Sequence, residues 1–394
     1  MTSTRAYPGN GIYARRMQRR NAPLLALKFI LHHQESILYF VFALCLTFGC
    51  LLDRSQNNGF YMADAVRGRL MATAWPDILE LTELWNFLEV DFIQFVYKSY
   101  FPGSDNSTIM GYNYLLNGVR LRQIRVSPSV CSGPSWVNSL VPGQTSLLFC
   151  YPKYTHENED RQSFGFLGGG PWFTYSKGDE RASWKGELGQ YGGDGFVLDL
   201  PTVNISEAKL RIGRHKTRGW LDLQSRALFI DFSLYNPESS LLLRARLLIE
   251  FSQFGGLIKS QDFSVYQLQK YGGRDGSIAL TLDIFFLVIA VFYLAVELIA
   301  LVQMKGRYFL VRSSGFLNIL IAFICFAIIA IRLESQNQID SKLYAVKSAP
   351  EEEPTLLVDL QNLPYLKQQD DNLVAILFIV IYARLFAYVG DIPG

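Results

Sequence analysis

The sequence predicts a membrane α-helical bundle of four transmembrane helices, with a large α+β domain inserted between helices 1 and 2. Three observations predict it. The 394 residues are 49% apolar and only 18% charged, below the roughly 25% charge of soluble domains, and mean hydropathy is +0.13. The apolar residues gather into four runs without a regular period. Between the first and second runs lies a long segment of ordinary globular composition. The apolar fraction excludes intrinsic disorder. A net charge of +2 gives no support to a nucleic-acid binder, and five Cys are too few for a disulfide-built scaffold.

Helix 1 is assigned to residues 32–52, around the run ILYFVFALCLTFGCLL. Helix 2 is assigned to 277–304, where Asp283 and Glu297 are the charges. Helix 3 covers 314–333 and helix 4 covers 371–390. A span needs about 20 mostly apolar residues. The second run meets this directly; the others meet it when flanking residues such as Ser36, Ser314 and Arg332 join the helix. Buried core helices of a soluble protein are the alternative, but four aperiodic runs are hard to house in one core.

Charge orients the spans. The basic N-terminus, 1–31, and its continuation to residue 36 hold Arg5, Arg15, Arg16, Arg19, Arg20 and Lys28 against Glu35. The linker 305–313 holds Lys305, Arg307 and Arg312 with no acid, whereas the loop 334–370 is acidic, with Glu351, Glu352 and Glu353 in a row. The positive-inside rule then places the N-terminus, the linker and the end segment 391–394 in the cytoplasm, and 53–276 outside. The long basic region and the lack of an A-x-A-like site favour an uncleaved signal anchor over a cleaved signal peptide.

Within 53–276, Ile78, Leu81, Leu84, Trp85, Leu88, Phe92 and Phe95 recur at helical spacing, with Pro76 as a first-turn residue. Strands follow. Leu228, Ile230, Phe232 and Leu234 share one face; Leu243, Ala245, Leu247, Ile249 and Phe251 share another, opposite Arg244, Arg246 and Glu250. Asn236-Pro237-Glu238 is turn chemistry. The two strands are expected to pair antiparallel and to be covered on one side by helices. The clusters Gly168-Gly169-Gly170-Pro171 and Tyr191-Gly192-Gly193-Asp194-Gly195 lack the Lys-Ser/Thr of a phosphate loop and read as turns or a bulge. Cys131 and Cys150 are the cysteines of this outer segment and are expected to form a disulfide, worth about 3 kcal/mol for a loop of this length. Asn106-Ser107-Thr108 and Asn204-Ile205-Ser206 are glycosylation sequons.

No catalytic, cofactor or metal pattern is present. His32, His33, His156 and His215 form no metal-ligand spacing, and there is no nucleophile elbow, Cys-x-x-Cys or EF-hand loop. The chain is read as a non-enzyme. Charge at membrane depth is costly and marks function. Glu297 and Arg384 are candidate partners, or Arg384 snorkels to the cytoplasmic interface; Asp283 sits near the outer end of its span and is read as interfacial.

These pieces resemble the polycystins, the TRPP branch of transient-receptor-potential cation channels. Residues 114–126 (YLLNGVRLRQIRV), followed by Cys131, resemble the family block LLG-x-x-R-x-RQ-x-RV. Trp184 through Gly195 to Leu198-Asp199-Leu200 resembles W…Y-x-G-x-GY-x-LDL. Trp220-Leu221-Asp222, Arg226-Ala227 and residues 229–236 (FIDFSLYN) resemble WLD-x-x-TRA-x-FIDFS-x-YN, and RLLIEF at 246–251 with Gly255-Gly256 continues it. The match looks closer to the polycystin-2 type than to the giant polycystin-1 receptors.

The resemblance implies an extracellular or lumenal polycystin domain at 53–276 that joins neighbouring subunits in a homo- or hetero-tetramer. It implies a voltage-sensor-like bundle, a disulfide at Cys131–Cys150 and a glycan at Asn106. It also implies a calcium-permeable, non-selective cation channel in a plasma, ciliary or endoplasmic-reticulum membrane. Cations, lipid and other polycystin subunits are the expected partners. Family members continue into two more spans and a selectivity filter, so this chain is expected to supply no pore, as part of a channel subunit. The alternative is a complete pore-less protein that binds channel subunits or other ectodomains as a regulatory or adhesion partner. In the fourth span Arg384 keeps one of two basic residues frequent in the family, with Ala387 at the other. Asn318 stands where channel members often carry an acid. A single gating charge is worth about 2.3 kcal/mol per 100 mV.

Overall fold

The computed structural model describes residues 37, 40–49, 58–98, 108–131, 149–166, 170–178, 183–268, 271, 273–304, 315–348 and 363–390. The basic N-terminus, Cys50, Asn106, Gly168, Gly169, the 305–313 linker, Glu351 to Glu353 and 391–394 lie outside the described residues. The chain divides into two compact units. One comprises Gln56–Lys270 with Leu333–Gln368, the other Met1–Ser55, Tyr271–Arg332 and Gln369–Gly394.

The first unit is built on an antiparallel seven-stranded sheet. Its strands are β1 (Thr108–Ile109), β2 (Asn113–Arg125), β3 (Tyr175–Ser176), β4 (Gly195–Leu200), β5 (Ser225–Asn236), β6 (Leu241–Phe251) and β7 (Leu257–Gln267). Their order is β7-β6-β5-β2-β4-β3, with β1 also on β2. β5 and β6 pair from Ala227↔Glu250 to Asn236↔Leu241, as the turn chemistry at Asn236 requires. Gly118 sits where β2 shifts register against β5, at φ +79°, and a Cβ there would meet the Leu200 carbonyl oxygen at 2.0 Å. Only glycine fits that bulge.

One face of the sheet is apolar. Leu121, Leu228, Ile230, Phe232, Leu243 and Leu247 pack with residues of three helical segments. These are α2 (Asn58–Met71), α3 (residues 81–97) and α4 (Ile205–Thr217). Phe92 and Phe95 set their rings against Phe232 at 6.1 and 6.0 Å. Pro76 is not in the first turn of α3 but in a separate short turn, Trp75–Asp77. The helix starts at Leu81 because Glu80 and Glu83 form a reciprocal capping box there. Its middle, Phe87–Phe92, is π-helical, an extra residue per turn that the 3–4 spacing did not reveal.

The opposite face corrects the expectation of a one-sided strand pair. Arg244, Arg246 and Glu250 are only 3%, 2% and 0% exposed. The register places Asp199, Arg120, Asp231, Arg246 and Asp262 in one row across β4, β2, β5, β6 and β7, with the sign alternating at every step. Arg120 binds Asp199 through two hydrogen bonds of 2.7 and 2.8 Å. Arg246 binds Asp231 through two of 2.6 and 3.0 Å, and Arg244 reaches Asp262 at 3.1 Å. Trp184 covers Arg244 and Arg246 at 5.6 and 5.3 Å. Paired charges and aromatic faces let these guanidinium groups leave water.

In the second unit, α1 (Phe40–Gly49) packs with α5 (Gly273–Met304), α6 (Gly315–Ser348) and α7 (Leu363–Gly390) around Phe42, Leu46, Ile289, Ile321, Leu377 and Ile381. Among the described residues, two helical stretches, Gly276–Gln303 and Gly315–Ser341, are long and apolar enough to cross a membrane; Phe40–Gly49 is apolar and shorter. The segment read as the loop 334–370 is helical at both ends, since α6 runs to Ser348 and α7 begins at Leu363. Ile339 and Leu363 are buried with Leu242 and Tyr266 in the first unit, so apolar packing carries the helices past the polar boundary that composition suggested.

Removing one partner of a buried ion pair costs about 3–5 kcal/mol, whereas an apolar replacement of both is often near neutral. Asp231→Leu alone and Arg246→Met alone are therefore expected to lower the stability of the purified chain by that amount, and the double variant by less than either. Denaturant melts followed by tryptophan fluorescence check the order.

Candidate functional site

The bundle holds the three polar residues singled out in the sequence. Glu297 on α5 is fully buried, Asn318 on α6 is 4% exposed and Arg384 on α7 is 9% exposed. Asn318 Nδ2 donates to Glu297 Oε1 at 2.7 Å. Glu297 thus takes an amide partner from α6, a contact the sequence reading did not include. Thr47 on α1 and Tyr382 on α7 share a hydroxyl hydrogen bond of 2.8 Å.

A second polar cluster in this unit was missed. Arg332 donates to Asp283 at 2.5 Å and to Asp370 at 3.0 Å, and the Tyr271 hydroxyl donates to Asp283 at 2.8 Å. Helices α5, α6 and α7 are tied together there. The signal was available: Asp283, Arg332 and Asp370 all fall at the predicted outer ends of their apolar runs, where opposite charges offset each other's desolvation.

In the sheet unit, two buried carboxylates hold the irregular segment that covers the charged face. Glu250 accepts from the Glu187 and Leu188 amides and the Tyr191 hydroxyl, each at 2.8 Å. A Cβ at Gly186 would lie 2.5 Å from Glu250 Oε1, so glycine permits the close approach. Glu159 accepts from Tyr175 at 2.8 Å and Tyr154 at 3.3 Å. Burial, reinforced by these carboxylates, pushes the Tyr175 and Tyr191 hydroxyls above their ordinary range, so they stay protonated donors. Arg122 lies over the Phe229 ring at 4.1 Å and donates to the Gly192 and Asp194 carbonyls at 2.7 and 2.9 Å. Burial and the nearby Arg246 push it down to about 10, which leaves it charged at neutral pH. The glycine cluster at 191–195 is therefore a carbonyl clamp for Arg122.

Cys131 and Cys150 are joined in a disulfide with Cα atoms 5.0 Å apart, flanking the short pairing of Ser129–Val130 with Phe149–Cys150. Asn204 is exposed and caps α4, its Oδ1 accepting from the Glu207 amide at 3.0 Å. The cap uses the amide oxygen and leaves Nδ2, the atom a glycan would take. His215 packs between Phe173 and Trp220 at 5.2 and 5.3 Å, with Nδ1 2.8 Å from the Arg211 carbonyl oxygen. Among the described residues, no three His, Cys, Asp or Glu side chains stand together as around a metal ion. The arrangement is one of anchors and ion pairs that position a domain and a bundle.

Residues 75–269 match the family model of the polycystin domain. The chain is similar to mouse polycystin-2-like protein 2, with 29% identity over 91% of the chain and 58% of that protein. It is similar to zebrafish polycystin-2, with 26% identity over 92% of the chain and 40% of the relative. Mouse polycystin-1-like protein 3 is 24% identical over 59% of the chain and 11% of its own length. The chain spans about half the length of the polycystin-2-type relatives it matches.

Burial, and then the neighbouring Arg218 and Arg211, hold His215 below its ordinary 6.5. The unfolded chain then binds the extra proton. This group's contribution to stability is full above pH 6.5 and is lost as pH falls toward the folded pKa. His215→Asn is expected to flatten the decline in melting temperature between pH 7.5 and 5, measured against wild type in the same buffers.

Proposed function

The chain belongs to the polycystin family, and on that premise we propose that it forms part of a subunit of a calcium-permeable, non-selective cation channel. In this reading residues 53–276 are the extracellular or lumenal domain through which polycystin subunits assemble as a homo- or hetero-tetramer. Four spans form a voltage-sensor-like bundle in which Glu297, Asn318 and Arg384 are the intramembrane polar set. The membrane is plasma, ciliary or endoplasmic-reticulum. Its work is assembly and gating rather than catalysis.

The observation that carries the reading is an alignment with polycystin-2-type relatives over about nine-tenths of the chain. It reaches well beyond the polycystin domain at 75–269 and so takes in the helices as well as the sheet. The physical arrangement supports it. A sheet with paired buried charges resists register slip. Glu297, Asn318 and Arg384, at membrane depth in this reading, are buried within the bundle, as lipid demands.

Two outcomes are expected. Tagged chain, expressed with a full-length polycystin-2-type subunit, co-purifies with it as a tetramer and changes its whole-cell cation current; migration of the chain alone as a monomer would sink the assembly role. For topology, N-glycosidase is expected to shift the wild type on a gel. Ser206→Ala removes one step of that shift and leaves the α4 cap intact. Asn204→Ala removes the same step and also costs about 1 kcal/mol through the lost cap. A wild type that glycosidase leaves unmoved would overturn the outer placement of residues 53–276.

A further inference from the structure

Helix α4 and the residue after it carry a charge excess that the sheet does not use. Residues 209–218, KLRIGRHKTR, hold Lys209, Arg211, Arg214, Lys216 and Arg218 and no acid. Ala208 and Ile212 turn the opposite side of the helix into the core, both fully buried. The cations divide by role. Arg211 is held by Glu207 at 2.8 Å and donates to the Asp199 carbonyl at 2.9 Å. Lys216 binds Glu89 at 2.6 Å. Arg218 lies over the half-exposed Trp172 ring at 4.3 Å and has its charge in solvent. Lys209 and Arg214 are exposed, with neither a hydrogen bond nor an ion pair among the described residues. Glu207, already engaged by Arg211, acts on Arg214 only through space. Five cations thus meet two carboxylates, Glu207 and Glu89.

Helix electrostatics explains part of this pattern. Cations in the last turn of a helix complement its dipole, and Arg214 and Lys216 lie there. Lys209, in the middle of the helix, and Arg218, beyond its last turn, gain nothing comparable. Like charges gathered on one element repel, so an external counter-charge would relieve them. The shape of the patch restricts that counter-charge. Lys209 to Arg218 extends about 14 Å along the chain at the helical rise of 1.5 Å per residue, too far for these cations to converge on one small anion. A chain of repeated anionic groups fits such a stripe.

We propose that the exposed face of α4 and Arg218 form a docking surface for a sulfated polysaccharide of the cell surface. The inference rests on the outer placement of residues 53–276 proposed above. On that side of the membrane the sulfated polysaccharide is the matching polyanion, because the negative surface potential of membranes belongs to the cytoplasmic leaflet. A basic stretch of this density is also the sequence form of heparin-type patches.

The test uses the purified full chain in detergent, on immobilised heparin under a sodium chloride gradient. Wild type is expected to bind at 0.15 M salt, with log affinity falling linearly against log salt. The triple variant Lys209→Gln, Arg214→Gln, Arg218→Gln is expected to bind at least about tenfold more weakly, with the salt slope reduced by about 2 to 3. A control variant, Lys153→Gln, Lys177→Gln, Lys185→Gln, removes the same charge at other exposed positions and is expected to bind like wild type. If loss of the Arg218–Trp172 contact impairs folding, Lys209→Gln with Arg214→Gln alone is expected to show a smaller loss in the same direction. No retention of wild type, equal losses in both triple variants, or displacement by phosphatidylserine vesicles but not by soluble heparin would overturn the proposal. Binding reads the patch on purified protein whatever its topology, whereas the glycosidase shift reads the outer placement, so the two failures are distinguishable.

Discussion

The pair between Asp231 and Arg246 is the constraint on which the sheet unit depends. It sits in the middle of a row of alternating charges across five strands, with both partners almost fully buried. A buried pair of this kind adds little net stability over an apolar one. Its force lies in what it forbids. A one-residue slip of β6 would carry Arg246 into the layer of Leu121 and Ile230 and bring Ala245 or Leu247 opposite Asp231. An unpaired charge in either layer is far more costly than any strand propensity. The row therefore sets register, and register sets which residues each face offers.

From that register the two faces acquire different tasks. The apolar face takes the helices and orients α4 so that its basic side is left in water. The charged face takes Tyr154, Trp184 and Tyr191, and Glu159 and Glu250 hold the surrounding chain through tyrosine hydroxyls and backbone amides. The helical unit follows the same rule with other residues: Glu297 meets Asn318, and Arg332 meets Asp283 and Asp370. In each case a charge in a low-dielectric setting is matched by a partner from another element. That matching, more than apolar area, is what makes each pairing specific.

Much of this was legible in the residues. The alternation in 228–234 and 243–251 names the apolar face of β5 and β6, and Asn236-Pro237-Glu238 places their turn. The apolar runs mark α5 and α6 because a helix facing lipid is apolar all round. The start of α3 was misplaced, since Pro76 is a familiar first-turn residue while the Glu80/Glu83 box begins four positions further on. The charged face was read as open because Arg244, Arg246 and Glu250 are usually solvated. Their burial rests on Asp231, Trp184 and the loop amides, residues near in space and distant in sequence. The ties of Arg332 escaped for the same reason.

The sequence by itself determined the membrane class, the location of the strands, the two cysteines that pair and the family resemblance. Each of these follows from composition, period or an ordered local motif, which needs no knowledge of distant neighbours. The tertiary structure alone decided that the second face of the sheet is interior, that a glycine cluster clamps Arg122, that α6 and α7 outrun their apolar runs, and that Lys209 and Arg214 have no partner among the described residues. Burial and charge pairing are properties of neighbours brought together by the fold, and a period along the chain carries no record of what will cover it.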